Sequence, residues 1–284
     1  MIPAAFDYRR AASVEEAVAL LAEGGEDAKL LAGGHSLLPL MKLRLARPSV
    51  LVDIGRAAGM RHIEERDGML AIGALVRHHD LATSELLGAR CPLLAHAASM
   101  VGDPQVRHRG TVGGSVAHAD PASDLCAVLR CLDAAMVVQG PHGRRTIAAA
   151  DFFVGFLESA VGADEVLVEI LVPTPVAGHG WSYQKFTRRA IDWAIVGVAA
   201  VVEPSPDGIA RASVGLVNMG ATPLRAAAVE AALTGAPRSA VAAAAARAAE
   251  GTEPAADIHG DAEYRAHLAT VLTRRALEEA LSRL

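Results

Sequence analysis

Two short segments of this chain each contain a pair of glycines followed by a serine. They are Ala32-Gly33-Gly34-His35-Ser36 and Thr111-Val112-Gly113-Gly114-Ser115. Glycine lets the backbone adopt positive φ and approach a ligand without a Cβ clash, and consecutive N–H groups in such a turn can bind an anion. Two such turns could converge on one diphosphate. Because the chain contains no G-x-G-x-x-G pattern, they predict a dinucleotide held without a Rossmann turn; the alternative for either pair is a tight turn without a ligand.

Two acidic residues, Asp120 and Asp124, follow the second glycine pair. Their spacing would place both on one face of a helix, but no His or Glu at ligand spacing makes a metal site of them. Asp120 stands directly before Pro121 and is predicted to be a helix N-cap. Asp124 is the better functional candidate, because a carboxylate can accept hydrogen bonds from two ribose hydroxyls.

A lysine and a tryptophan in the last third of the chain are further candidates. Lys185 lies in a predicted strand, where a lysine is usually a solvated edge residue. In a low-dielectric site it would instead stabilise negative charge on a ligand. By its residue type alone, Trp193 is interpreted as a core residue; its other interpretation rests on the resemblance described below.

The elements that must position these residues form an α+β architecture with two lobes and a third part. Residues 1–55 predict a small βαβ-like lobe, with strands at 29–32 and 50–54 around a helix at 37–43. Residues 56–177 predict a second lobe, with strands at 69–73, 134–139 and 165–172 and helices at 77–83 and 91–100. A Pro- and Gly-rich stretch then marks a boundary. Residues 178–284 predict three strands, at 181–188, 195–202 and 211–217, and alanine-rich helices at 226–233, 239–249 and 262–284.

Composition excludes several classes of protein. The chain has 284 residues and is 52% hydrophobic, which is enough for a sizeable core. Its net charge of −5 and its scattered basic residues give no electrostatic reason to bind nucleic acid. The three cysteines, Cys91, Cys126 and Cys131, lack C-x-x-C spacing and are too few for a four-thiolate cluster. Neither a signal peptide nor a membrane-spanning run is recognised, so a cytoplasmic protein is expected.

A longer set of segments gives a family resemblance. These segments are LAGGHSLLPLMKLRL at 31–45, VLVDI at 50–54, RGTVGGSVAHADPASDL at 109–125, YQKFTRR at 183–189 and DWAIV at 192–196. In this order they resemble the FAD-binding medium subunits of the molybdenum hydroxylase (xanthine dehydrogenase) family, in particular those of carbon monoxide dehydrogenases. The resemblance runs nearly end to end. It implies a two-lobed, PCMH-type FAD-binding domain at 1–177, with FAD in the cleft between the lobes. A C-terminal domain at 178–284 would consist of a three-stranded antiparallel sheet and a helical bundle.

The resemblance also implies a role for each candidate residue. FAD would be bound non-covalently, with its diphosphate between the two glycine segments; attachment through His35, as in some distantly related flavin oxidases, is the alternative. Asp124 would contact the FAD sugar. Lys185, flanked by Arg188 and Arg189, would lie near the isoalloxazine, and Trp193 would be the aromatic residue against the flavin. The residues implied to bind FAD are Ala32, Gly33, Gly34, His35, Ser36, Thr111, Gly113, Gly114, Ser115, Asp124 and Lys185, and those implied to be catalytic are Lys185 and Trp193.

The function implied is that of an oxidoreductase subunit. Electrons would reach FAD from the [2Fe–2S] clusters of a small subunit and leave to an external acceptor, while a large molybdopterin subunit oxidises the substrate. The resemblance also implies a dimer of heterotrimers, located in the cytoplasm or at the inner face of the membrane. The substrate stays open: carbon monoxide, or a purine, aldehyde or N-heterocycle. Two other classes also stay open, namely a stand-alone NADH-oxidising flavin diaphorase and a binding subunit that has lost FAD.

Overall fold

The first lobe is built on three parallel strands. The structure, a computed structural model, describes residues 2–284. The strands are β1 (Asp7–Arg10), β2 (Ala28–Leu31) and β3 (Val50–Asp53), in the order β1-β3-β2. Helix α1 (Val14–Gly24) joins β1 to β2, and α2 (Leu37–Lys42) joins β2 to β3. The predicted βαβ unit is therefore present, with β1 added at one edge of the sheet.

The second lobe contains a five-stranded antiparallel sheet in the order β4-β5-β10-β6-β7. A separate two-stranded hairpin, β8-β9, lies between β7 and β10 in the chain. Apolar side chains of the central strands β5, β6 and β10 enter the main core, which explains why these three strands were predicted. The strands are β4 (Ile63–Arg66), β5 (Met69–Gly73), β6 (Ala135–Gly140), β7 (Gly143–Ala148), β8 (Phe153–Gly155), β9 (Glu158–Ser159) and β10 (Val166–Pro173).

Seven short helices belong to this lobe. Four lie in the connection between β5 and the second glycine segment, one contains that segment, one follows it, and one precedes β8. Their boundaries are α3 (His78–Thr83), α4 (Glu85–Arg90), α5 (Pro92–Ser99), α6 (Pro104–Arg109), α7 (Val112–His118), α8 (Asp124–Cys131) and α9 (Ala149–Phe152). Helices α4, α6 and α7 were not predicted: each is short, and the Gly113-Gly114 pair in α7 indicated a turn instead.

The C-terminal part is an antiparallel sheet in the order β11-β12-β13-β14, with helices packed on one face. Three strands were predicted; the fourth has two residues, too few to show alternation. The predicted helix at 239–249 was also too long, since only five of its residues are α-helical. The elements are β11 (Gly180–Phe186), β12 (Val196–Ser205), β13 (Gly208–Val217), β14 (Leu224–Arg225), α10 (Ala227–Leu233), α11 (Val241–Ala245) and α12 (Ala262–Ser282).

Helix α8 joins the second lobe to this sheet. The thiol of Cys131 lies 3.6 Å from Ala199 O and 3.3 Å from Ser213 O, on β12 and β13. Tyr183 of β11 belongs to the same core cluster as α8. The start of α8 therefore lies where the second lobe meets β11, and both elements carry candidate residues.

Within residues 2–284, no helix is long and apolar enough to cross a membrane. The same residues contain no cluster of His, Cys, Asp and Glu that could hold a metal ion. Cys91, Cys126 and Cys131 are free and buried, and burial raises the pKa of each thiol to about 12.

Candidate functional site

A single cavity brings the candidate residues together. Its volume is about 610 Å³, within the range of small-molecule and cofactor sites. The first lobe, the second lobe and β11 with the segment after it all contribute to its wall. The predicted site residues that line it are Ala32, Gly33, Gly34, His35, Ser36, Thr111, Gly113, Gly114, Ser115, Asp124, Lys185 and Trp193.

The first glycine segment, residues 32–36, forms the turn between β2 and α2 and leaves its N–H groups open. Gly34 has a φ of +78°, in the region that favours glycine. A Cβ on Gly33 would lie 2.5 Å from Arg109 O and 2.9 Å from Gly110 Cα. The backbone N–H groups of the five residues have no acceptor within residues 2–284. Because consecutive unpaired N–H groups form an anion-binding nest, this segment fits a phosphate.

The second glycine pair lies in the first turn of helix α7 and is not a second nest. The N–H of Gly113 donates to Ala74 O at 2.9 Å, and that of Ser115 donates to Thr111 O at 3.0 Å. The N–H of Gly114 donates to Thr111 Oγ1 at 3.1 Å, so Thr111 is the N-cap of α7. The expectation of two equivalent nests was wrong, because the capping threonine and Ala74 use the N–H groups.

Hydroxyl groups are the polar groups that this second segment offers to a ligand. Thr111 Oγ1 accepts from Gly114, so its own O–H remains available as a donor. Ser115 Oγ lies 2.9 Å from Ser123 Oγ, and both serines line the cavity. Gly113 is needed for packing, since a Cβ there would lie 2.5 Å from Ala74 Cβ.

The predicted N-cap at Asp120 was also wrong. Its Oδ1 accepts from Ala122 N at 2.9 Å, and its carbonyl accepts from Ser123 N at 2.9 Å. These bonds close a turn before α8, so Ser123 occupies the N-cap position. Asp124 is the first residue of the helix and is only 4% exposed.

Asp124 forms a buried ion pair with Lys185. Lys185 Nζ lies 2.8 Å from Asp124 Oδ2 and also donates to Met100 O at 3.0 Å. The side chain of Lys185 is 3% exposed, so it is not a surface lysine. The Oη of Tyr183 donates to Asp124 Oδ1. A carboxylate has about four acceptor positions, so Asp124 can still accept from a ligand in the cavity.

Burial controls protonation in this group. Burial raises the pKa of Asp124, against the opposing effects of the Lys185 charge and the Tyr183 hydrogen bond. Burial and the nearby carboxylate raise the pKa of Tyr183 well above its usual value. The phenol therefore keeps its proton and acts as the donor.

Trp193 lies at the mouth of the cavity, in the segment between β11 and β12. It is 57% exposed, so it is not a core residue. Ile191 is equally exposed and lines the same mouth. The flanking Arg188 and Arg189 are exposed and are not part of the cavity wall. The cavity thus has a polar, glycine-rich part and a mouth with exposed apolar side chains.

His78 is a titratable residue of the cavity wall that was not among the predicted site residues. It is the first residue of α3 and is 4% exposed. Burial, together with the basic groups of His35, Arg77 and Arg107, lowers the pKa of its imidazole to about 4. Nothing in the spacing of His78 from the glycine segments indicated that it would join them.

Comparison with known proteins agrees with this architecture. Residues 4–175 match the model of the FAD binding domain in molybdopterin dehydrogenase, and residues 181–280 match the CO dehydrogenase flavoprotein C-terminal domain. The chain belongs to this family of FAD-binding molybdopterin dehydrogenase proteins, as its resemblance predicted.

Particular relatives match over the whole length. The carbon monoxide dehydrogenase medium chain of Hydrogenophaga pseudoflava is 45% identical, over 100% of this chain and 99% of the relative. The 6-hydroxypseudooxynicotine dehydrogenase complex subunit alpha of Paenarthrobacter nicotinovorans is 42% identical, over 100% of this chain and 97% of the relative. A solved structure of the Hydrogenophaga pseudoflava carbon monoxide dehydrogenase lacking the Mo-pyranopterin moiety matches with a TM-score of 0.97 and 47% identity. The match covers 100% of this chain and 99% of the chain in that structure.

Proposed function

We propose that this chain is the FAD-carrying electron-transfer subunit of a molybdenum hydroxylase complex, and that the complex is an aerobic carbon monoxide dehydrogenase. The observation that carries the proposal is the single cavity in which the five open N–H groups of residues 32–36 and the Asp124–Lys185 pair both lie. Full-length similarity to a carbon monoxide dehydrogenase medium chain supports the choice of complex.

The cavity residues fit FAD. The first glycine segment would hold the diphosphate, since its N–H groups have no other acceptor within residues 2–284. The hydroxyls of Thr111 and Ser115 would add hydrogen-bond donors. Gly113 and Gly114, which have no side chains, would leave space for the cofactor at this part of the cavity wall. Asp124 would accept from the FAD sugar.

At the flavin end of the cavity, this chain would supply a positive charge near the isoalloxazine and an aromatic side chain against it. Lys185 would hold a positive charge near the isoalloxazine, in a site where low dielectric strengthens the interaction. Trp193 would lie against the ring, because it is an exposed aromatic at the mouth. Bound FAD supplies the redox chemistry, taking electrons from [2Fe–2S] clusters and passing them to an external acceptor.

The same proposal covers domains and partners. We assign the FAD-binding domain to residues 1–177, with lobes at about 1–55 and 56–177, and the C-terminal domain to residues 178–284. The partners would be a small [2Fe–2S] subunit and a large molybdopterin subunit, in a dimer of heterotrimers. The names of the relatives, a medium chain and a complex subunit, support such an assembly. The complex would act in the cytoplasm or at the inner face of the membrane.

A second candidate is the FAD subunit of an N-heterocycle dehydrogenase. The relative from a 6-hydroxypseudooxynicotine dehydrogenase complex supports it, because its 42% identity to this chain is close to the 45% of the carbon monoxide dehydrogenase medium chain. A stand-alone NADH-oxidising diaphorase is the third.

Purification of the native complex tests these candidates. We expect FAD, molybdenum and iron to co-purify with this chain, and carbon monoxide to reduce an electron-accepting dye. Reduction by 6-hydroxypseudooxynicotine alone would favour the second candidate. NADH-dependent dye reduction by the isolated chain would favour the third. Acid precipitation should release the flavin; a yellow pellet would instead indicate attachment through His35.

A further inference from the structure

The imidazole of His78 lies where the two glycine segments meet. Its backbone N–H donates to Gly110 O at 3.2 Å. A Cβ on Gly110 would lie 2.7 Å from His78 Cδ2 and 3.0 Å from Nε2, so this ring edge lies against Gly110. Gly110 also faces Gly33 of the first segment. His78 and Gly33 therefore lie against the same residue, Gly110, and both line the cavity.

Neither ring nitrogen of His78 has a partner within residues 2–284. Nδ1 is sealed from solvent, whereas Nε2, on the edge beside Gly110, is not. A proton on Nδ1 would be a buried donor without an acceptor, which is costly and rare. We therefore assign the proton of the neutral ring to Nε2. The cavity wall thus contains an N–H donor with no partner.

The charges around His78 keep it neutral near pH 7. The basic groups that act on it are His35 from the first glycine segment, Arg77 next to it in the chain, and Arg107 of α6. Together with burial they disfavour a second proton. The same basic surroundings favour an anion beside the ring.

We infer that His78 donates a hydrogen bond from Nε2 to a diphosphate oxygen of the bound dinucleotide, which makes it a further cofactor-binding residue. The inference rests on the proposed function, and specifically on FAD binding in this cavity. It explains why a polar ring is buried at this position without a protein partner.

Titration of the full-length apo chain with FAD, followed by flavin fluorescence, tests the inference. His78→Leu removes the donor at similar volume and should raise the Kd for FAD roughly tenfold or more, the usual effect of losing a hydrogen bond to a charged group. His78→Gln places an amide donor near the position of Nε2 and should stay within about threefold of wild type. His79→Leu is the matched control, because His79 is adjacent in sequence but does not line the cavity; it should not change the Kd.

ADP serves as a second probe because it carries the diphosphate without the flavin. His78→Leu should weaken ADP and FAD binding by the same factor. A wild-type Kd in His78→Leu, equal losses in the Leu and Gln variants, or a loss for FAD alone would each overturn the inference. A wild-type chain that binds neither probe would instead overturn the proposed function.

Nuclear magnetic resonance of the wild-type histidine ring nitrogens provides a measurement that needs no variant. We expect His78 to carry its proton on Nε2 before FAD is added, and the Nε2 resonance to move when FAD binds. A proton on Nδ1, or an Nε2 resonance that FAD leaves unchanged, would contradict the inference.

Discussion

The two glycine segments look alike in sequence and differ in what their glycines do. In residues 32–36, Gly34 adopts positive φ, and five consecutive N–H groups remain open. At the second pair, Gly113 and Gly114 have helical φ, and their N–H groups are bonded to Ala74 and Thr111. The first segment is therefore built for a ligand, whereas the second is built mainly for close packing of α7.

Because of this difference, substitutions at Gly34 and at Gly113 should affect FAD binding and stability to different extents. A side chain on Gly113 would meet the backbone and Cβ of Ala74, neither of which can rotate away. A side chain on Gly34 would first meet Leu38 Cδ1 at 2.8 Å, the movable end of a flexible side chain. Changes at the second segment should therefore act on stability first. In the first segment, a change at Gly34 should act on FAD affinity first, whereas a side chain on Gly33 would meet the backbone of Arg109 and Gly110.

The largest expected effect is at the ion pair that follows the second segment. Lys185→Met should lower the free energy of unfolding by about 3–5 kcal/mol, because it leaves the Asp124 carboxylate buried without its counter-charge. Without Lys185, the folded-state pKa of Asp124 lies above its unfolded value. Stability should therefore recover as the pH falls and the carboxyl becomes protonated. Chemical unfolding of the variant at several pH values measures both effects.

The double variant Asp124→Asn with Lys185→Met is the control for that prediction. It removes both charges and should regain much of the lost stability at neutral pH. If Lys185→Met alone had wild-type stability at pH 8, the pair would not have a structural role.

Gly113→Val should be the next largest in effect. Its side chain would overlap Ala74, and we expect a loss of about 3 kcal/mol or a failure to fold. Gly114→Ala is the milder comparison, since a Cβ there meets only Thr111 Oγ1, at 2.7 Å. It should cost about 1 kcal/mol by disturbing the cap. Urea unfolding shows which of the two variants has the lower free energy of unfolding. Equal stabilities would contradict the packing role of Gly113.

His78, at the junction of the segments, should make stability depend on pH. Its folded-state pKa, about 4, lies below the unfolded value of about 6.5. The folded state therefore binds fewer protons, and stability is lost as the pH falls from 6.5 towards 4, by up to about 3 kcal/mol. His78→Leu should remove this part of the acid sensitivity, whereas His79→Leu should retain it. Unfolding curves at pH 7 and pH 4.5 measure the difference. An equal loss of the free energy of unfolding between these pH values in wild type and His78→Leu would contradict the prediction.

The sequence predicted the elements and residues whose signals are local. Strand β5 was predicted at its observed boundaries, because its apolar run is long enough to be recognised. The family resemblance selected residues that all line one cavity. By contrast, β1 was not predicted, because all four of its residues are exposed and it pairs only along one edge of β3.

What the sequence could not show are the partners that lie far away in the chain. Whether the N–H of Gly113 is open depends on Ala74, and whether Lys185 is solvated depends on Asp124. His78 joins the site only because Gly110 lets its ring approach. Each of these is a tertiary contact, and none leaves a periodic pattern or a motif in the sequence.

A small effect on stability, and the sharpest test of the comparison, is expected at Gly34. Gly34→Ala forces a Cβ into a backbone with a φ of +78° and should cost about 1–2 kcal/mol. Gly59→Ala is matched to it, because Gly59 has a φ of +79°, has open space around its Cβ position and does not line the cavity. Both variants should lose similar stability, but only Gly34→Ala should weaken FAD binding, by about tenfold, because its turn presents the open N–H groups. Thermal unfolding and FAD titration of the pair measure this. Equal FAD affinities at equal stability would mean that the first segment, like the second, uses its glycine mainly for folding.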